Sequence, residues 1–278
     1  MMRTITEENV RDFHDFLLRE EKSPVTVEKY VRDIRTFFVF AGEAEIIKET
    51  TVSYKKQLVA HGYAVASINS MLASLNNFLD FMGWQECKVK HIRVQKQTYC
   101  PEEKELSKEE YLRLLEAAKG ERRIYLIMQT ICATGIRISE LKYFTVEALR
   151  RGEITVNCKS KTRTILVPGK LKKKLLEYVK KCGITQGAVF VTKSGNPMDR
   201  SYIWAKMKKL CAAAKVNPSK VFPHNLRKLF ARTFYSLEKD IAKLADILGH
   251  GSIETTRIYI MTTGNEHRRK LERLGLVI

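Results

Sequence analysis

The stretch from Leu248 to Tyr259, Leu-Gly-His-Gly-Ser-Ile-Glu-Thr-Thr-Arg-Ile-Tyr, sets a histidine and a tyrosine nine residues apart across a helix boundary. Gly249 suits the left-handed cap that ends the preceding apolar helix (Ile241, Leu244, Ile247, Leu248), and Ser252 suits the N-cap of the next one. His250 then falls on a fixed corner, and Thr255 and Thr256 share a face with Tyr259 one turn later. Such a tyrosine can be presented to a phosphate, or it can be a packing residue with a wet hydroxyl. Three other stretches have the same double character. Arg137 stands between Ile136 and Ile138, where it either pairs with Glu140 or holds an anion. His224 and Arg227 are three apart at the start of a helix and share its face. Lys159 and Lys161 fall near the tip of a two-stranded hairpin, a place where lysines are usually just solvated.

The composition says what such groups act on. A chain of 278 residues suits about two domains. Its 50 Lys and Arg against 31 Asp and Glu leave a net charge of +19, which calls for an acidic partner. Nucleic acid comes first and an anionic membrane second. No apolar run approaches the roughly 20 residues of a membrane span, and Met1 to Arg11 lacks the apolar core of a signal peptide, so a cytoplasmic protein with no membrane partner is expected. Cys87, Cys100, Cys132, Cys158, Cys182 and Cys211 are scattered without a Cys-x-x-Cys pair, which points to reduced thiols and no structural zinc.

From Thr6 to Gly83 the pattern is helical. Thr6 caps a helix bearing Val10, Phe13 and Leu17; Ser23-Pro24 opens one bearing Tyr30, Ile34, Phe37, Phe38 and Ala41. Two more cover Val52 to Ala60 and Ile68 to Met82, making a small helical bundle. Residues 87 to 105 are basic, lack a helical stripe and read as a linker. Ser107-Lys-Glu-Glu110 is a capping box that starts the second domain. There an apolar helix from Arg122 to Thr134 ends at Gly135. Glu153 to Val156 and Thr164 to Val167 read as strands, Leu171 to Lys181 as a helix, Ala188 to Val191 as a further strand, and Asp199 or Ser201 as the cap of a helix through Trp204, Met207 and Leu210. No Gly-rich phosphate loop and no internal repeat occur.

Arg137, Lys159, His224, Arg227, His250 and Tyr259, in this order, resemble the tyrosine recombinases, the phage-integrase and Xer-like family. Ala-Thr-Gly-Ile-Arg-Ile-Ser-Glu-Leu (133 to 141), His224-x-x-Arg227 and Leu-Gly-His250 with its tyrosine nine residues on carry the match, which extends over nearly the whole chain. The resemblance implies a mainly α fold with a small β-sheet. Residues 1–86 are expected to form a helical N-terminal core-DNA-binding (SAM-like) domain, 87–105 the linker, and 106–278 a mixed α+β tyrosine-recombinase catalytic domain, the two domains clamping duplex DNA.

The family's chemistry suits these residue types. Breaking a phosphodiester without metal needs a nucleophile that can hold the phosphoryl group, a proton donor for the departing 5′ hydroxyl and fixed positive charge for the non-bridging oxygens. Tyr259 is then the nucleophile of a 3′-phosphotyrosine link, Arg137 and Arg227 the phosphate clamp, Lys159 the general acid, His224 the acid/base partner and His250 a phosphate hydrogen bond. No cofactor is implied. Where family members often have Gly-Lys-Gly, this chain has Cys158-Lys159-Ser160-Lys161, so Lys159 is preferred over Lys161 only as the nearer to the first strand's end.

A topoisomerase IB-like relaxing enzyme would use the same chemistry, but the short chain favours a recombinase. An inactive DNA-binding relative is disfavoured because every catalytic position is filled, and a zinc hydrolase using His224 and His250 lacks a third ligand. By the same resemblance, the partner is a double-stranded DNA recombination site, occupied by a homotetramer on two duplexes of a protein that is monomeric when free. After a flexible break at Thr262 to Gly264, the segment Asn265 to Leu276 carries a narrow apolar stripe (Leu271, Leu274, Leu276) too small to stand alone, so it must dock, on its own domain or elsewhere; the resemblance implies docking on a neighbouring protomer.

Overall fold

Thr6 accepts from the backbone N–H of Asn9 while the Asn9 side chain accepts from the N–H of Thr6, so helix α1 (Glu7–Arg19) starts with two orphan donors satisfied. The structure is a computed structural model that describes residues 3–95, 100–158, 161–192 and 194–276, with side chains at all of these except 102, 158 and 161. It divides into two units, Met1–Lys96 and Gln97–Ile278. In the first, α1 is followed by α2 (Pro24–Ala41), capped by Ser23 with proline at its first position, then by α3 (Lys48–Ala60) and α4 (Val65–Phe81). The apolar residues at helical spacing meet in one core: Phe13 packs edge-on against Phe78 at 5.2 Å, and Ile34, Leu58, Leu72 and Leu75 fill the space around them. The buried carboxylate of Asp33 is matched by Lys29, 2.7 Å away, and by the hydroxyl of Ser74 at 2.9 Å.

The basic segment that follows is docked over its first part. Cys87 and Val89 are buried in the first core, and two asparagines of α4 bind the extended chain as a strand partner would. Asn76 exchanges two hydrogen bonds, each 2.9 Å, with the backbone of Val89, and Asn69 does the same with Ile92 at 2.8 and 2.9 Å. An asparagine on a helix reads as solvated in a sequence, so this docking was not legible there.

The first α-helix of the second unit, α5 (Lys108–Ala117), starts with the expected capping box of Ser107 and Glu110. Helix α6 (Arg122–Thr134) ends at Gly135, left-handed at φ 64°, and a turn of 3₁₀ helix (Ile138–Tyr143) leads to α7 (Val146–Arg151). Strands β1 (Glu153–Cys158) and β2 (Lys161–Leu166) pair antiparallel from Glu153↔Leu166 to Cys158↔Lys161, longer toward the tip than the sequence pattern suggested. The strand expected at Ala188 to Val191 does not form. Its four residues make only the isolated bridges Thr145↔Ala188 and Val191↔Pro197, because the run is short and its ends bond to irregular backbone. Among the described residues the sheet therefore keeps two strands.

Helices α8 (Gly169–Lys181), α9 (Arg200–Lys209, capped by Asp199) and α10 (Cys211–Ala214) close this core around Ile127, Ile131, Leu175 and Met207. The last four helices are α11 (Pro223–Glu238), α12 (Ile241–Leu248), α13 (Ile253–Ile260) and α14 (Gly264–Glu272). The flexible break expected before α14 is instead an ordered cap. Thr263 and Glu266 form a capping box, the Cys100 N–H donates to Thr262 O at 3.0 Å, and Arg232 of α11 bridges Glu266 and the buried Glu105 at 2.9 and 3.2 Å. Leu271, Leu274 and Leu276 of the terminal segment are exposed. Among the described residues no helix is long and apolar enough to cross a membrane.

Candidate active site

Three local stops bring the site together. Pro223 sets the first turn of α11, which carries His224 and Arg227; Gly249, left-handed at φ 64°, ends α12 and turns the chain through His250; and Ser252 accepts from the Glu254 N–H at 3.1 Å to start α13. Tyr259, the next-to-last residue of α13, is buried between the two imidazoles. Its ring centre lies 4.9 Å from that of His224 and 4.7 Å from that of His250, both edge-on, and the Arg227 guanidinium stands 5.8 Å from the ring. Its hydroxyl is 3.5 Å from His224 Nδ1. The tyrosine is thus packed through its ring while its oxygen meets titratable groups.

Arg227 is 1 % exposed, and no carboxylate among the described residues pairs with it. It donates to the carbonyls of Gly135 and Leu248 and to His250 Nε2 at 3.0 Å, while its Nε has no hydrogen-bond partner. Burial, aided by the neighbouring Arg137, pulls its pKa down to about 10, so it stays charged at neutral pH. An arginine can only donate, so His250 Nε2 must accept from it; Nδ1 then carries the ring proton and donates to Thr256 Oγ1 at 2.9 Å. Both histidines are neutral at pH 7. Burial, and then Arg227 and Arg137, push His250 down to about 4; burial, Lys228 and the same arginines hold His224 below its ordinary value.

At Arg137 the two readings of the sequence turn out to be compatible. Its backbone N–H donates to Glu140 Oε2 at 2.7 Å, Nη1 to Oε1 at 3.0 Å, and Nη2 to the carbonyl of Gly249 at 3.2 Å. Arg163 holds the same carboxylate from the other side, so one carboxylate serves two guanidinium groups and the region keeps a positive excess that Arg227 increases. Arg137 is still 35 % exposed, and with His224 and Arg227 it lines an open cavity of about 490 Å³ walled by Ile138, Trp204 and Phe222. An anion entering there meets guanidinium and imidazole groups with Tyr259 beside them.

Five of the six sequence-derived residues, Arg137, His224, Arg227, His250 and Tyr259, meet at this place; Lys159 lies outside the described residues, and Lys161 begins β2. Arg163 and the supporting role of Thr256 were missed. The signal for Arg163 was its phase, two residues before the buried Ile165 on the strand face turned to the core.

Residues 104–266 match the model of the phage integrase family, and residues 10–86 that of the phage integrase N-terminal SAM-like domain. The chain belongs to the phage integrase family. Tyrosine recombinase XerA of Pyrococcus furiosus is 28% identical to it over 285 residues, covering 99% of this chain and 96% of that protein. Tyrosine recombinase XerD of Halalkalibacterium halodurans is 27% identical over 269 residues, covering 87% and 89%. The crystal structure of XerA recombinase superposes with a TM-score of 0.55 at 25% identity, covering 97% of this chain and 98% of that one. A lambda integrase (75-356) dimer bound to a COC′ core site has a TM-score of 0.75 at 16% identity and covers 93% and 96%, a likeness of fold. The resemblance and the mainly helical fold with one small sheet are borne out, and so is the enzyme class: the chain is a tyrosine recombinase, which breaks and rejoins DNA strands in site-specific recombination.

Proposed function

We propose that Tyr259 is the nucleophile and that the groups around it divide the remaining work. Tyr259 Oη attacks the scissile phosphorus and passes its proton to neutral His224, which faces it at 3.5 Å and tightens on the bound phosphate. The new P–O bond to tyrosine forms as the bond to the 5′ oxygen breaks. Lys159 supplies the proton that the leaving 5′ oxygen takes, and the 3′-phosphotyrosine keeps the ester's bond energy for rejoining. Arg137 and Arg227 hold the non-bridging oxygens with permanently charged forks whose orientation is fixed before substrate arrives. Neutral His250 accepts from Arg227 at Nε2 and holds that fork in place before substrate arrives; once the phosphate's charge lifts its depressed pKa, Nε2 takes a proton, gives up the Arg227 bond and donates to the phosphate instead. No step calls on a cofactor.

The observation that carries this reading is the packing of Tyr259 between two neutral imidazoles beside a buried arginine that no carboxylate among the described residues pairs with. The substrate is a double-stranded DNA recombination site in the cytoplasm. Four protomers act on two duplexes, as many as in the lambda integrase tetramer bound to a Holliday junction, and the free protein is monomeric. Incubation of the enzyme with two differently labelled duplexes carrying the site tests the assignment. Strands joined between the duplexes support recombination, and relaxation of a supercoil without joining would assign a topoisomerase-like activity instead.

A further inference from the structure

We infer that Arg163 is a positioning residue, which sets the phosphate-binding guanidinium of Arg137 without touching the phosphate itself. The inference rests on reading Arg137 as a ligand of the scissile phosphate. Arg163 stands on the inward face of β2, and its side chain is only 12 % exposed. Its fork meets the Glu140 carboxylate with two bonds, Nη1 to Oε1 at 3.1 Å and Nη2 to Oε2 at 2.7 Å. The same two oxygens take the Arg137 side chain and backbone N–H. Each oxygen therefore accepts one bond from each arginine, and the carboxylate cannot turn without breaking bonds to both. Burial works against the charge of Glu140, but the Arg137 backbone N–H and the two guanidinium groups outweigh it and hold its pKa below the ordinary value.

A second contact points the same way. A side-chain carbon at Gly249 would run into Arg163 Cδ and Nη1, so the arginine lies flat against this glycine's backbone. The Gly249 carbonyl is the other anchor of Arg137, taking Nη2 at 3.2 Å. Arg163 thus braces both supports of the Arg137 fork, one by hydrogen bonds and one by contact. Its own Nε is buried without a hydrogen-bond partner among the described residues, and among these Glu140 is the one group its directed bonds reach. Were the pair there for stability alone, a buried ion pair would be a poor device, since apolar replacements of similar volume are often as stable. Its value lies in fixing the angle at which Arg137 faces the cavity, where a misplacement on the order of 1 Å costs up to about a hundredfold in rate.

The test is single-turnover cleavage of a nicked half-site duplex by the full chain and its Arg137→Ala, Arg163→Ala and Arg163→Lys variants. Each is measured on an ordinary scissile phosphodiester and on a methylphosphonate, in which a neutral methyl replaces one charged non-bridging oxygen. Arg163→Ala should slow cleavage of the ordinary substrate by about a hundredfold while half-site affinity changes less than about twofold. On the methylphosphonate its deficit should shrink to below about tenfold, in parallel with Arg137→Ala, because less charge remains for the clamp to meet. Arg163→Lys should recover part of the rate, since it keeps the charge on Glu140 but loses the fork. Equal deficits on both substrates, or none on either, would overturn the inference; should Arg163→Ala fail to fold, the lysine variant gives the same comparison. If Arg137→Ala itself does not distinguish the two substrates, the reading of Arg137 as phosphate ligand fails instead.

Discussion

The hydroxyl of Tyr259 lies 3.5 Å from Nδ1 of His224 across two helices whose starts are set by Ser252 and Pro223. That distance is long for a hydrogen bond and short for a chance contact of two titratable groups. It fits a proton path that closes only when a phosphate draws the tyrosine forward.

The two histidines give the protein a pH signature. Both have folded pKa values below the ordinary 6.5, His250 at about 4, so below pH 6.5 the unfolded chain takes up protons that the folded site refuses. The stability tied to these neutral rings is complete above pH 6.5 and is lost as pH falls toward 4. Melting temperature should decline across this window, and His250→Gln should flatten part of the decline when both proteins are scanned from pH 7 to pH 4. A variant curve parallel to the wild type would show that His250 does not carry the effect.

Gly249→Ala should be costly and Gly251→Ala should not. Residue 249 is left-handed at φ 64° and a methyl there meets Arg163, whereas nothing lies within 4 Å of a methyl at 251. The left-handed conformation alone costs a non-glycine residue about 1–2 kcal/mol, before the displaced arginine is counted. Denaturant midpoints of the two variants measure the difference, and cleavage by Gly249→Ala should drop with it because Arg163 and Arg137 lose their seating.

The helical caps made much of this legible in the sequence. Thr6, Ser23, Ser107, Gly135, Gly249 and Ser252 act on their immediate neighbours, so their helices start and stop where local chemistry puts them. The site residues on those caps could be read from short boxes for the same reason. Arg163 could not, because its partner Glu140 is 23 residues away and its inward phase depends on where β2 begins. Nor could the docking of Val89 and Ile92, which needs two asparagines of α4 aimed at a chain that carries no helical or strand pattern. The region from Ala188 to Val191 misled in the opposite sense. Its apolar residues mark burial of Val189 and Phe190, and burial alone does not supply a ladder partner.

Helix α14 is expected to matter for assembly and little for stability. Leu271 in it and Leu274 just beyond it are 53 % and 59 % exposed, and the ion pair of Glu266 with Arg232 is partly solvated. Truncation after Gly264 should cost less than about 1 kcal/mol in unfolding free energy. The truncated protein should bind a half-site yet form no complex of two duplexes in a gel-shift assay. Normal recombination by the truncation would remove α14 from the assembly.

The nucleophile itself can be read directly. Wild-type protein and Tyr259→Phe are mixed with a nicked suicide substrate, and the trapped species is digested and analysed by mass spectrometry. The Phe variant loses one oxygen and almost no packing surface, so it should bind DNA as the wild type does and form no adduct. In the wild type, the peptide spanning Ile253–Ile260 should carry a nucleotide joined through its 3′ phosphate to Tyr259. A covalent adduct formed by Tyr259→Phe, or a wild-type adduct on any other residue, would contradict the account.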